Sequence, residues 1–249
     1  MKNKKKIVIA NWKMNLSLKE TLALTRQIKK KINSLNLVDK QAIVCPDFLA
    51  MTEVSKVLKK TNIFLGAQDA FYEAKGAFTG QVSAKNLQTI GCQYVIVGHS
   101  EKRALGENYQ TINQKARAVI AEKMIPIICV GETLTERKKG QSDKVLISQI
   151  KQATVGLSKK EKFLLSYEPI WSISTSGSGQ VIDSQEAARM FAVIKKVLSS
   201  RFTNYLLIYG GSVSPKTIAD FSTIEGVSGV LVGGASLKAD SFVQLLKNA

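Results

Sequence analysis

Two side chains of this sequence, His99 and Glu168, are of the types that enzymes use to move protons. His99 is the single histidine of the chain and follows the apolar string Tyr94–Val97 and one glycine. Glu168 follows the apolar string Phe163–Tyr167 and precedes a proline. Each residue has a structural alternative, because a lone histidine is often only a hydrogen-bonded structural group and a glutamate at such a place is usually a helix cap or a surface acid.

Two Gly-Gly pairs, Gly210–Gly211 and Gly233–Gly234, follow apolar strings near the end of the chain. Backbone N–H groups at a helix start bind phosphate well, and glycine lets the ligand approach them closely. The pairs are therefore candidates for a phosphate site. The structural alternative is that each pair forms only a tight turn.

The elements that must position these groups alternate along the chain between short apolar strings and longer strings of helical periodicity. Most of the short strings are continuously apolar, which is typical of parallel strands buried on both faces. The predicted strands are Ile7–Ala10, Ala42–Cys45, Asn62–Gly66, Tyr94–Val97, Ile125–Val130, Phe163–Tyr167, Tyr205–Tyr209 and Gly229–Val232.

Several helix starts carry residues that usually cap helices. We expect Asp47 and Asp240 to be N-caps, and Ser214 followed by Pro215 to begin a helix. The clearest predicted helices are Ser17–Leu35, Asp47–Leu58 and Asp183–Leu198.

About eight strand–helix repeats in a chain of 249 residues predict an α/β fold, the closed eight-stranded parallel (β/α)8 barrel. The alternative is an open doubly wound sheet, but the G-x-G-x-x-G string of its dinucleotide-binding members is missing. Without a linker or composition shift, we expect residues 1–249 to form one domain. Chemistry in such barrels lies at the carboxyl ends of the strands, so the candidate groups should meet at one rim.

The amino-acid composition argues against several classes of function and several kinds of site. The net charge of +17 arises from 36 basic and 19 acidic residues. Most of the basic residues are scattered lysines, so we expect a solvated basic surface rather than specific nucleic-acid binding, and a role in binding nucleic acid stays an alternative. The apolar run Ile7–Ala10 is too short for a signal peptide, and no membrane span is predicted. Three cysteines without C-x-x-C spacing predict reduced thiols in a cytoplasmic protein, and no zinc site.

Five strings together resemble triosephosphate isomerases, in the order of that family and from residue 7 to about residue 245. One string alone would be weak evidence, whereas five in register are a specific match. The strings are Asn11–Asn15, Val97–Glu101, Tyr167–Trp171, Tyr209–Val213 and Leu231–Leu237.

The resemblance implies interconversion of dihydroxyacetone phosphate and D-glyceraldehyde 3-phosphate through an enediolate. It implies that Glu168 is the base and that His99 is the electrophile. In this family, which is a standard example of the effect, the histidine is a neutral imidazole whose pKa is lowered by a helix N-terminus. Lys13 would support phosphate binding and the developing negative charge, and Asn11 would position Lys13 and the substrate. Glu101 matches a family acid near Lys13 and His99.

Cys129 also matches a family position, where we expect a structural thiol rather than a nucleophile. The resemblance places the substrate phosphate on backbone N–H groups near Ser174, Ser212, Gly233 and Gly234, with no metal or redox cofactor.

The segment 169–179 resembles the family's lid over the active site. Two glycines of the family's lid tip are serines here, Ser174 and Ser176, and the stretch up to Gln185 is about two residues longer. A glycine that needs positive φ is not freely replaced, so this departure bears on lid closure. It also keeps a second interpretation open, a barrel that binds phosphorylated ligands but turns them over weakly.

The segment from Gln68 to Ser83 resembles the family's long third loop, which inserts into a partner subunit. The resemblance therefore implies a homodimer, with Thr79 reaching across. The family commonly has an ion-paired Glu and Arg at the positions of Gln81 and Lys102, so this pair is altered together.

Overall fold

The computed structural model of the protein describes residues 5–35, 37–173 and 181–249. Within these ranges, eight parallel strands pair in chain order, and the last pairs with the first to close a barrel. The predicted (β/α)8 barrel is therefore confirmed. The strands are β1 Lys6–Asn11, β2 Lys40–Cys45, β3 Ile63–Ala67, β4 Tyr94–Val97, β5 Ile125–Val130, β6 Phe163–Tyr167, β7 Tyr205–Tyr209 and β8 Val227–Val232.

Helices follow the strands and surround the barrel, and two short 3-10 turns lie at Ile170–Ser172 and Gly234–Ser236. In the described part of the chain, no helix is both long enough and apolar enough to cross a membrane. The helices are α1 Leu18–Asn33, α2 Met51–Leu58, α3 Ala84–Thr89, α4 Ser100–Ala104, α5 Tyr109–Ala121, α6 Leu134–Lys138, α7 Ser142–Ala153, α8 Ser184–Ser199, α9 Ile218–Ser222 and α10 Ala239–Asn248.

The apolar side chains form two separate clusters because successive residues of a strand point to opposite faces. In β1, for example, Ile7 and Ile9 point into the barrel, whereas Val8 and Ala10 pack against the surrounding helices. This double burial explains why the strand sequences are continuously apolar rather than alternating.

The first residues of two predicted helices are N-caps, whereas none of the three expected starts at Asp47, Ser214 and Asp240 forms as predicted. Ser17 accepts the N–H of Glu20 in a capping box at α1, and Asp183 accepts the N–H of Glu186 at α8. Asp47 is not an N-cap, because its carboxylate accepts the N–H of Ala50 in a turn that precedes α2.

The helices that were expected to begin at Asp240 and at Ser214 begin at other residues. Asp240 lies inside the first turn of α10, where Lys238 is the N-cap, and its carboxylate pairs with Lys31 at 2.6 Å. Ser214 accepts the N–H of Thr217 in a hydrogen-bonded turn, and α9 begins only at Ile218. Asp240 thus pairs with a residue that is distant in the chain, whereas Ser214 bonds within a local turn.

Candidate active site

A cavity of about 180 Å³ opens at the carboxyl ends of the strands. Asn11 ends β1, Glu168 directly follows β6, and His99 follows β4 after one glycine. Two larger grooves, of about 580 and 600 Å³, lie around the amino ends of β2 and β3 and contain none of the candidate groups. The predicted residues that line the cavity are Asn11, Lys13, His99, Ser212, Gly233 and Gly234.

Glu168 is completely buried beside this cavity. Its Oε2 accepts the backbone N–H of Ser100 at 3.2 Å, while Oε1 has no hydrogen-bond partner among the described residues and lies 3.8 Å from His99 Nε2. An unsatisfied buried polar atom costs about 1–3 kcal/mol of stability. Such a cost is typical of a functional group rather than of a structural one.

Glycines on the neighbouring strand ends provide the space that Glu168 occupies. A Cβ atom on Gly131 would lie 1.7 Å from the Glu168 carbonyl oxygen, and one on Gly210 would lie 2.7 Å from Glu168 Cγ. The first glycine of the Gly210–Gly211 pair is therefore required by the carboxylate, which the sequence did not indicate.

His99 is the N-cap of α4, and its Nδ1 accepts the backbone N–H of Glu101 at 3.2 Å. A nitrogen that accepts a hydrogen bond carries no proton, so this bond assigns a neutral imidazole with its proton on Nε2. The preceding Gly98 has a φ of +72°, and a Cβ there would lie 2.6 Å from Ile112. This glycine turns the chain so that the ring reaches the cavity.

Lys13 is held in a strained backbone conformation with a φ of +51°. Its N–H bonds to Asn11 Oδ1 at 3.1 Å, and its carbonyl accepts Gln68 Nε2 at 2.8 Å. Its ammonium contacts Glu101 Oε1 at 2.6 Å. Strain of this kind persists only where the surroundings impose it, and it is common at functional sites.

The strand ends β7 and β8 provide an open backbone surface in the same cavity. A Cβ on Gly234 would meet no atom of the described residues within 4 Å, and one on Gly233 would lie 3.4 Å from Lys13 Cε. The hydroxyl of Ser212 donates to the carbonyl of Ser172 at 2.7 Å. The arrangement leaves room for an anion beside the Lys13 side chain.

Two residues of the predicted lid tip, Ser174 and Ser176, lie outside the described residues. The preceding hinge is held by Glu132, whose Oε1 accepts Trp171 Nε1 at 2.8 Å and the Tyr167 hydroxyl at 3.2 Å. Burial raises the pKa of the Glu132 carboxyl above its ordinary value. The guanidinium of Arg137 lies 4.3 Å from the Trp171 ring centroid.

Cys129 is buried inside the barrel. Burial and the nearby Glu168 carboxylate raise the pKa of its thiol well above the ordinary range. This environment supports a structural thiol, as the sequence suggests.

The structure adds positioning groups that the sequence did not single out. In the sequence, Gln68 stands only at the start of the predicted third loop, and Ser100 only within the string Val97–Glu101. Arg103 donates to the carbonyls of Gly98, Cys129 and Gly131 at 3.0–3.2 Å. Most of these contacts join residues that are far apart in the chain, so no local sequence pattern predicts them. In the described ranges, no group of three or more His, Cys, Asp or Glu residues could hold a metal ion.

Comparison with known proteins finds the same family that the five strings resemble. The family model described as "Triosephosphate isomerase" matches residues 6–249. A protein of that name from Dehalococcoides mccartyi (strain CBDB1) is 40% identical, with 98% of this chain and 96% of the relative covered. The namesake from Dictyoglomus turgidum is 38% identical over 98% of this chain and 100% of its own. A third triosephosphate isomerase, from Clostridium tetani, is 38% identical, with 96% of this chain and 94% of the relative covered.

Proposed function

The chain belongs to the triosephosphate isomerase family, and from this premise we propose how its residues interconvert dihydroxyacetone phosphate and D-glyceraldehyde 3-phosphate. The observation that carries the proposal is the 3.8 Å separation of Glu168 Oε1 and His99 Nε2 beside one cavity. A carboxylate and a neutral imidazole in this arrangement can act on adjacent carbon and oxygen atoms of a three-carbon substrate.

Glu168 acts as the base that takes a proton from carbon. In the present arrangement its Oε2 is held by Ser100 and its side chain is fully buried. The carboxylate must therefore turn toward the cavity when substrate binds.

His99 acts as the electrophile at the substrate oxygens. Its Nε2–H donates to the carbonyl oxygen, and the same nitrogen passes protons between the two oxygens of the enediolate. Because Nδ1 is occupied by the Glu101 N–H, the useful proton is kept on Nε2. The Lys13 ammonium stabilises the negative charge of the enediolate. Glu101 orients this ammonium, and Asn11 holds the Lys13 backbone N–H.

The phosphate dianion lies on the backbone N–H groups of Ser212, Gly233 and Gly234. The open space beside Gly234 and the adjacent Lys13 support this position. Ser174 of the lid contributes a further N–H when the lid closes, which excludes water from the reactive enediolate. The scheme uses proton transfer and charge stabilisation by side chains and backbone alone.

The active protein is a homodimer that forms through the loop around Thr79. Large apolar side chains follow β1, β2 and β3 and are exposed, including Met14, Leu49 and Phe78. Because these strands are neighbours, the three side chains lie in one sector of the rim. Burial of this sector by a second copy would remove an unusual apolar surface from water.

The protein works in the cytoplasm, where thiols stay reduced. Its three cysteines are all buried and free, at Cys45, Cys92 and Cys129. This pattern supports a reducing compartment.

The test is the turnover of D-glyceraldehyde 3-phosphate by the purified protein, followed by product detection in both directions. We expect turnover with kcat/KM in the enzymatic range of about 10⁴–10⁸ M⁻¹s⁻¹. Measurable binding of a phosphate ligand without turnover would instead indicate a barrel that only binds.

A further inference from the structure

The short helix α4 holds both reactive groups of the site through its first backbone N–H groups. The N–H of Ser100 bonds to Glu168 Oε2, and the N–H of Glu101 bonds to His99 Nδ1. A small displacement of this one turn of backbone would therefore move the proposed base and the proposed electrophile together. The residues that hold α4 in place therefore determine where His99 lies and where the Glu168 carboxylate rests before substrate binds.

Arg103 holds α4 on the side of β4 and β5. Its guanidinium donates to Gly98 O at 3.0 Å, to Cys129 O at 3.1 Å and to Gly131 O at 3.2 Å. These carbonyls lie at the ends of β4 and β5, and β5 is the neighbour of β6, which Glu168 follows. The planar guanidinium thus fixes one side of the helix.

Lys102 holds α4 on the opposite side, toward β3. Its ammonium lies 3.0 Å from Asp69 Oδ2, and Asp69 comes two residues after the end of β3. The contact joins the helix that carries His99 to the beginning of the loop from Gln68 to Ser83. Lys102 and Arg103 therefore hold α4 from two directions.

A second cation, the ammonium of Lys115, fixes the Asp69 carboxylate. The two carboxylate oxygens accept the ammonium of Lys115, a buried residue of α5, at 2.7 and 2.9 Å. Lys115 also bonds to the nearly buried carboxylate of Glu107. An acceptor fixed in this way gives the Lys102 ammonium one defined location, which an isolated surface pair does not have.

We infer that Asp69 and Lys102 are positioning residues of the active site. They hold α4 against the end of β3, so that His99 Nε2 and the Glu168 carboxylate face the same substrate. This role rests on the proposed function of His99 and Glu168. It also assigns a new partner to Lys102, since the altered Gln81 is not its partner among the described residues of the chain.

The kinetic test compares Lys102→Met with Lys102→Arg. Methionine keeps much of the side-chain volume but loses the charge, and we expect kcat to fall about tenfold while KM changes less than about twofold. Arginine should restore most of the loss because it can reach the same carboxylate. Lys144→Met is the control, because Lys144 is exposed on α7 and has no described ion pair.

A double-mutant cycle with Asp69→Asn tests whether the two residues act as a pair. If Lys102 acts through Asp69, Lys102→Met should change kcat little in the Asp69→Asn background. Equal and additive losses would overturn the assignment. The same is true if Lys144→Met lowers kcat as much as Lys102→Met does.

A readout that is independent of turnover comes from the single histidine of the chain. In protein labelled with ¹⁵N-histidine, the wild type should show an unprotonated Nδ1 and a protonated Nε2. Lys102→Met should shift or broaden both signals, whereas Lys102→Arg and Lys144→Met should not. Unchanged signals in Lys102→Met would overturn the inference, and an inactive wild type with the expected signals would overturn only the proposed function.

Discussion

At the scale of single residues, the site keeps a carboxylate, an imidazole and a thiol close together in a dry environment. Glu168 influences the Cys129 thiol directly, because its negative charge adds to the effect of burial and raises the pKa of that thiol. The thiol therefore stays protonated beside the proposed base. A protonated sulfur fills space there without competing for the substrate carbon.

All three cysteines should be unreactive in the folded protein. Burial raises the pKa of Cys92 to about 12 and the pKa values of Cys45 and Cys129 well above the ordinary range. We expect no reaction with a disulfide reagent at pH 8, and reaction of all three thiols in guanidinium. Fast labelling of one thiol under native conditions would contradict this environment.

The same shifts determine a pH dependence of stability. A thiol that ionises more easily in the unfolded chain favours unfolding once the pH exceeds the unfolded pKa of about 8.5. This contribution to the free energy of unfolding is therefore complete below that pH and is lost as the pH rises toward the folded pKa values.

The placement of the candidate side chains beside one cavity was predictable at this scale, whereas their backbone partners were not. His99 and Glu168 were identifiable because each follows an apolar strand string. The N–H of Ser100 that holds Glu168 has no signature in the sequence, since every residue except proline carries such a group.

At the scale of elements, the ends of β7 and β8 use glycine for two different reasons. Gly210 is required because a side chain would collide with Glu168 Cγ and with Ser166 Oγ. Gly234 faces space that no described residue fills, which leaves room for the proposed phosphate. From the sequence alone, both pairs looked like the same phosphate-binding turn.

Alanine at these two glycines should separate the two reasons. Gly234→Ala should leave Tm unchanged and raise KM by about tenfold, which corresponds to about 1.4 kcal/mol of lost ligand binding. Gly210→Ala should lower both kcat and Tm, because a Cβ there would lie 2.5 Å from Ser166 Oγ. Steady-state kinetics and thermal unfolding of both variants make the comparison, and the reverse pattern would contradict the assignment.

Helix boundaries depend on which partner a polar side chain contacts, and that partner can be near or far in the chain. Ser17 and Asp183 cap their helices as their positions predict, whereas Asp240 pairs with Lys31 across to α1. That contact joins the first and last helices, which become neighbours only when the barrel closes. Information of this kind is absent from any local sequence window.

At the scale of the whole molecule, the repeated strand–helix pattern predicted the barrel, but not which side chains point into it. Closure pairs β1 with both β2 and β8, and it gives every strand two buried faces. The strand ends then meet at one rim, and groups far apart in sequence become neighbours. The proposed dimer belongs to this scale as well.

A charge in the exposed apolar sector should separate the two subunits. Leu49 is 89% exposed, and we expect Leu49→Glu to give a monomer by sedimentation velocity, with reduced turnover. Val155→Glu is the matched control, because Val155 is 58% exposed between α7 and β6, away from this sector. A dimer that persists in Leu49→Glu, or a wild type that is monomeric, would argue against this interface.

The central claim is that the Glu168 carboxylate takes the proton from carbon. The most direct measurement is the turnover of Glu168→Gln, because the amide oxygen can still accept the N–H of Ser100 while the basic group is lost. If Glu168 is the base, Tm should stay unchanged and kcat should fall by about a hundred- to ten-thousand-fold. Turnover close to that of the wild type would contradict it.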